Sequence, residues 1–131
     1  MTIWHVPVPA GEVIDKITIL RLKARHISDP AKLAHIRQEL ALLEDIAAEA
    51  LPQIAGLTAE LADINAALWQ IEDDIRDHES RADFGESFIA LARAVYHRND
   101  ARAAVKRAIN AALGSTLVEE KSYRDYRTAH G

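Results

Sequence analysis

Residues 86–113 read ESFIALARAVYHRNDARAAVKRAINAAL, and this stretch decides the fold. Phe88, Leu91, Val95, Arg98, Arg102, Val105, Ile109 and Leu113 recur at steps of three and four, the spacing that puts side chains on one face of an α-helix. Neither glycine nor proline interrupts the run, and Gly114 follows it as a natural stop. Six positions of the stripe are apolar, and the two at its centre are arginines. A permanently charged fork on a core-facing stripe needs a carboxylate, a phosphate or a water-filled pocket opposite it. The stripe predicts a long helix and marks a place to look for chemistry.

The rest of the chain carries the same periodicity. Val13, Ile14, Ile17, Leu20, Ala24 and Ile27 predict a helix over 11–27 with a wide apolar face. Ser28-Asp29-Pro30 is a start signal, a capping side chain followed by proline at the first helical position. Leu33, Ile36, Leu40, Leu43, Ala47 and Ala50 then predict a second helix over 30–51, which must stop before Pro52. A third, over 58–82 with Thr58 as its cap, shows Leu57, Leu61, Ile64, Leu68, Ile71, Ile75 and His78 at alternating steps of four and three. Helices two and three are expected to form a long antiparallel hairpin with coiled-coil-like packing. The lead 2–9 alternates apolar and polar residues, but Pro7 and Pro9 bar it from a central strand, so an extended segment is expected there. Residues 115–131 read as a turn and a short arm. The expectation is a single all-α domain over 1–131: a bundle of four main helices built on a long antiparallel hairpin.

Composition agrees and excludes several function classes. At 131 residues the chain suits one domain with one core. It has five glycines, four prolines and no cysteine, which rules out disulfides, zinc ribbons, iron–sulfur clusters and a cysteine nucleophile. No apolar run reaches the length of a membrane span, and the first residues lack a cationic segment followed by an apolar core. The expected setting is a reducing cytoplasm, with no membrane partner. The formal charge of −4 conceals a segregation. Residues 39–86 hold thirteen carboxylates and two arginines, a net −11 that leaves +7 on the rest. Either an acidic hairpin docks on basic helices of its own chain, or the molecule is bipolar and its basic face attracts an anion.

Polar residues beside the apolar stripes define a candidate site. Glu12, Lys16, Lys23 and His26 share a face of the first helix, with Asp15 adjacent. Asn65, Trp69, Glu72, Arg76 and Glu79 line up on the third, and Asn99, Arg102, Lys106 and Asn110 on the fourth, with Arg98 alongside. Converging, these faces would enclose a pocket for a small anionic ligand, a phosphorylated one included. Arg98, Arg102 and Lys106 would bind charge with Arg76, Lys16 and Asn99 nearby, Glu72 and Glu12 would orient the ligand or exchange protons, and Trp69 would pack on it. The competing reading is a salt-bridge network that fixes helix register, with Glu72, Asp73 and Glu79, or Glu12 and Asp15, neutralising the two arginines. A structural or adaptor role through helix-mediated homodimerisation is the alternative function, and self-association is expected in either case.

Other constellations are weaker. No Glu-x-x-His tetrad of a di-iron bundle occurs. Asp74 and His78 at i,i+4 make only two metal ligands, and neither a metal nor another cofactor is expected. Glu12-x-x-Asp15 and Glu60-x-x-Asp63 match the local spacing of all-helical pyrophosphohydrolases, and the mixture of Arg, Lys and Glu is similar to that of helical chorismate mutases. A small all-α enzyme of either type is a further alternative, so enzymatic activity is left open. Asp83-Phe84-Gly85 repeats a kinase tripeptide without the loops that give it meaning, and reads as a helix break. Residues 93–107 are basic, yet they lack interleaved aromatics, and the acidic block would repel phosphates. Nucleic acid is not an expected partner.

Four segments together, GEVIDKITIL (11–20), LWQIEDDIR (68–76), FIALAR (88–93) with Asn99-Asp100, and LVEEKSY (117–123), resemble a small bacterial all-helical family of unknown function. The likeness spans nearly the whole chain. It implies a stand-alone bacterial helical protein and carries no activity with it. It also draws attention to Glu119, Glu120, Lys121 and Tyr123, either a lid for the pocket or a frayed end.

Overall fold

The structure, a computed structural model, describes residues 2–115 and 124–126. It is an all-α bundle: α1 (Ala10–His26), α2 (Pro30–Ile46), a short 3-10 turn (Leu51–Ile54), α3 (Ala55–Ser80) and α4 (Glu86–Ala112). Among the described residues there is no strand, and no helix is long and apolar enough to cross a membrane. The lead 2–8 is exposed and pairs with no strand.

Local chemistry sets the boundaries. The Asp29 carboxylate accepts the Lys32 amide at 3.0 Å, and Pro30 opens α2 with its φ already helical. Gly114 takes φ 65°, the left-handed conformation of a helix stop. There the Ser115 amide donates to the Asn110 carbonyl at 2.8 Å and the Gly114 amide to the Ala111 carbonyl at 3.3 Å, closing α4 with a Schellman motif. Thr58 is not the cap of α3. The helix begins three residues earlier, and the Thr58 hydroxyl is buried, donating to the Ile54 carbonyl at 2.9 Å.

Helix α1 is the central element, packed against α2, α3 and α4. It runs antiparallel to α4, with Gly11 beside Asn110 and Asp15 beside Arg102. It runs parallel to α3, with Thr18 beside Asn65 and His26 beside Trp69. The long antiparallel hairpin is formed by α3 and α4, not by the second and third helices. Helix α2 packs chiefly on α1 and buries none of its own residues fully. The core gathers Ile14, Ile17, Ala47, Ile54, Leu61 and Ile109, so it lies at the root of the hairpin, where α1 and α2 cover it. The more distal part of the hairpin is thinner, since no residue from 66 to 102 is buried.

Candidate functional site

Asp15 is the centre of the polar interior, and its side chain is only 2% exposed. A carboxylate so placed must be neutralised and hydrogen-bonded to stay charged. Arg102 reaches it from α4 as a two-pronged fork: Nε donates to Oδ1 at 3.0 Å, and Nη2 donates to Oδ2. From α3 the Asn65 amide donates to Oδ1 at 2.8 Å and also lies 2.8 Å from the Thr18 hydroxyl, which in turn donates to the Asp15 carbonyl. Lys106, one turn along α4, places Nζ 2.8 Å from Glu12 Oε2 and 3.9 Å from Asp15 Oδ2. A turn further, the Asn110 side chain accepts the Gly11 amide at 2.6 Å. Every buried side-chain nitrogen and oxygen among the described residues has a hydrogen-bond partner. Three successive turns of α4 thus converge on the five residues from Gly11 to Asp15 of α1, cation or amide against carboxylate or amide.

The fit depends on Gly11. A Cβ at that position would lie 2.5 Å from the Lys106 carbonyl oxygen, so the backbones of α1 and α4 approach as closely as they do only because no side chain intervenes.

Beside this network a groove of about 480 Å³ opens between α1, α3 and α4. Ile19, Leu22 and Leu68 give it an apolar lining, and Trp69 contributes an indole stacked on His26 with ring centroids 4.8 Å apart. Lys23, Glu72, Asp73 and Arg76 add charge, with Asn65 and Arg102 joining the groove to the buried network. Glu72 and Arg76 form an i,i+4 pair at 3.4 Å, while Lys23 makes no ion pair among the described residues.

Of the residues expected from sequence, Arg102, Trp69, Glu72 and Arg76 meet at the groove. Lys106 and Glu12 join Arg102 through the buried network and do not line that groove. Lys16 faces away and pairs with Glu39 of α2 at 2.6 Å. Arg98 and Asn99 are exposed and line no part of it. The counter-charge of Arg102 is Asp15, the second of the two sources expected, and not Glu72, Asp73 or Glu79. Asp15, Thr18, Asn65, Asn110 and Lys23 complete the arrangement. The one signal that pointed to Asp15 and Thr18 is their position: they step with Gly11 and Leu22 along the most buried face of α1.

Asp74 and His78 belong to no group of three potential metal ligands among the described residues. His78 Nδ1 lies 2.9 Å from the Asp74 backbone carbonyl. Glu119, Glu120, Lys121 and Tyr123 lie outside the described residues.

A family model described as a family of unknown function, DUF6165, matches residues 4–129. The chain belongs to that family. No curated protein and no solved structure matches it. Membership therefore supplies kinship over nearly the whole chain and no reaction, and the chemistry rests on the side chains.

Proposed function

We propose that the groove between α1, α3 and α4 binds a small ligand carrying an anionic group, a phosphorylated one included, on an apolar or planar body. The observation that carries this reading is the placement of Lys23, a cation with no ion pair among the described residues, at a groove with an apolar floor and an indole wall. The volume lies within the 300–1,000 Å³ or so typical of small-molecule sites, which combine apolar lining with a few polar groups. Lys23 and Arg76 would hold the anion, Trp69 would stack on the body, and Glu72 and Asp73 would accept hydrogen bonds from its hydroxyl or amino groups. Arg102, already fixed by Asp15, would border the ligand as a rigid donor. Of the residues first expected to bind charge, Arg98, Lys106, Lys16 and Asn99 are not part of this proposal.

The test uses Trp69 as its own reporter. Trp4 is 83% exposed, so Trp4→Phe is expected to leave a folded protein with a single indole at the groove. Titration with phenyl phosphate is expected to quench Trp69 emission and raise Tm, with inorganic phosphate and pyrophosphate binding more weakly. Lys23→Ala combined with Arg76→Ala should abolish both responses. If emission and Tm stay flat to millimolar concentrations of all three probes, the reading fails.

A further inference from the structure

The distal part of the α3/α4 hairpin lacks a core of its own. At the root, Leu61 and Ile109 are completely buried, because α1 lies over the seam. Further along the same stripes, Leu68, Ile71, Ile75, Phe88, Leu91 and Val95 are all only half-buried, and Phe84 and Ile89 are 51% and 54% exposed. Two helices cover only one side of each other's apolar stripe, so a stable hairpin of this length needs a further layer.

Charge says what that layer is. From Glu72 to Glu86, around the tip, seven carboxylates stand against Arg76 and Arg81, a net −5. From 87 to 107, five cations stand against Asp100 alone, a net +4. Of those cations, Arg93, Arg98 and Arg107 are exposed and form no ion pair among the described residues. Each hairpin therefore carries an acidic tip and a basic stretch of α4 along one axis. A second hairpin laid antiparallel on the first sets acidic tip against basic α4 twice, once at each end. A two-fold axis generates that arrangement with a single self-complementary patch.

We infer that two copies of this chain pair arm to arm, antiparallel, through the distal α3/α4 hairpin. The apolar centre of the contact is Phe84, Ile89 and the half-buried stripe. Arg93 of each copy, one turn from Ile89 on the same face of α4, meets Glu79 of the other. Apart from Leu68 at the root end of the stripe, this surface excludes the groove residues, so its failure and that of the ligand proposal are separate results.

The experiment measures mass in solution at tens of micromolar, by sedimentation, for four proteins. The parent chain is expected to be a dimer that weakens as salt rises. Ile89→Asp is expected to shift it to monomer. The base-reversed variant (Arg93→Glu) and the acid-reversed variant (Glu79→Lys) should each be monomeric, because like charges then face each other. Mixing the two restores both contacts and should yield a heterodimer. All altered residues are exposed, and circular dichroism checks that each variant is helical; only a folded pair can produce the heterodimer. A monomeric parent chain overturns the inference, as does a dimer insensitive to Ile89→Asp and to both reversals, which would assign association to another face such as Leu42 and Ile46 of α2.

Discussion

Asp15 and Arg102 behave as one unit, and their energetics follow from burial. Removing one member of a buried pair leaves the other charge uncompensated, at a typical cost of about 3–5 kcal/mol. Arg102→Leu is expected near the lower end, about 3 kcal/mol, because Lys106 stands 3.9 Å from Asp15 and partly replaces the lost charge. The double replacement, Asp15→Leu with Arg102→Leu, should recover more than half of that loss in urea titrations, since two apolar side chains leave no orphaned charge. A double-mutant result equal to the sum of the singles would show the two side chains to be uncoupled. Gly11→Ala tests the neighbouring turn. Helix propensity alone would favour alanine by about 1 kcal/mol, but the new Cβ would meet a backbone oxygen that cannot rotate away. Overpacking of this kind costs about 1–3 kcal/mol, so the expected sign is destabilising, and a stabilised variant would show that α1 and α4 can separate freely.

Among the elements, α3 and α4 each contain two environments joined by a continuous backbone. Their roots share the core with α1, whereas their distal turns touch mainly each other. Amides of the distal turns, over 72–80 and 86–95, should therefore exchange roughly tenfold or more faster than those over 58–65 and 105–110 when the protein is dilute. Raising the concentration should slow the distal amides selectively if arms pair. Uniform exchange along both helices at all concentrations would contradict this division. The same contrast explains what the sequence made legible. Periodicity gave four helices because it reflects which residues face inward, and Asp29-Pro30 and Gly114 marked two ends through local chemistry. It could not say which helices pair, because the stripe of α2 and that of α4 look alike to α3. Thr58 looked like a cap because capping is judged from residue type, while Ile54 packs into the core and starts the helix earlier. Arg98 looked equivalent to Arg102 because each fits the stripe. At about 100° per residue they differ by about 40° around α4, and only Arg102 has a carboxylate of α1 opposite it.

At the scale of the whole molecule, charge segregation does two separate jobs. Near the core, basic α4 meets carboxylates of α1, so of the two sources of counter-charge expected for Arg102 the one on α1 supplies it, not the more abundant acid of residues 39–86. Away from the core, seven of the thirteen carboxylates of that block, Glu72 to Glu86, stand on the distal hairpin, where the inferred pairing would use them. The groove was legible as a set of residues on three helix faces, but not as a volume, since a volume requires the relative heights of α1, α3 and α4. The network beside it has a consequence for the order of assembly. Asp15 and Arg102 are 87 residues apart, and Gly11 and Asn110 are 99 apart. During synthesis α1 and the α2 that packs on it emerge long before the helix that neutralises the Asp15 carboxylate, so that carboxylate must stay solvated until α4 is made. The hairpin closes through local contacts, whereas α1 meets α4 only across these long separations, and non-local closure of this kind is expected to be the slow step of folding. The residues that fix the finished interior are thereby also the ones that time its completion.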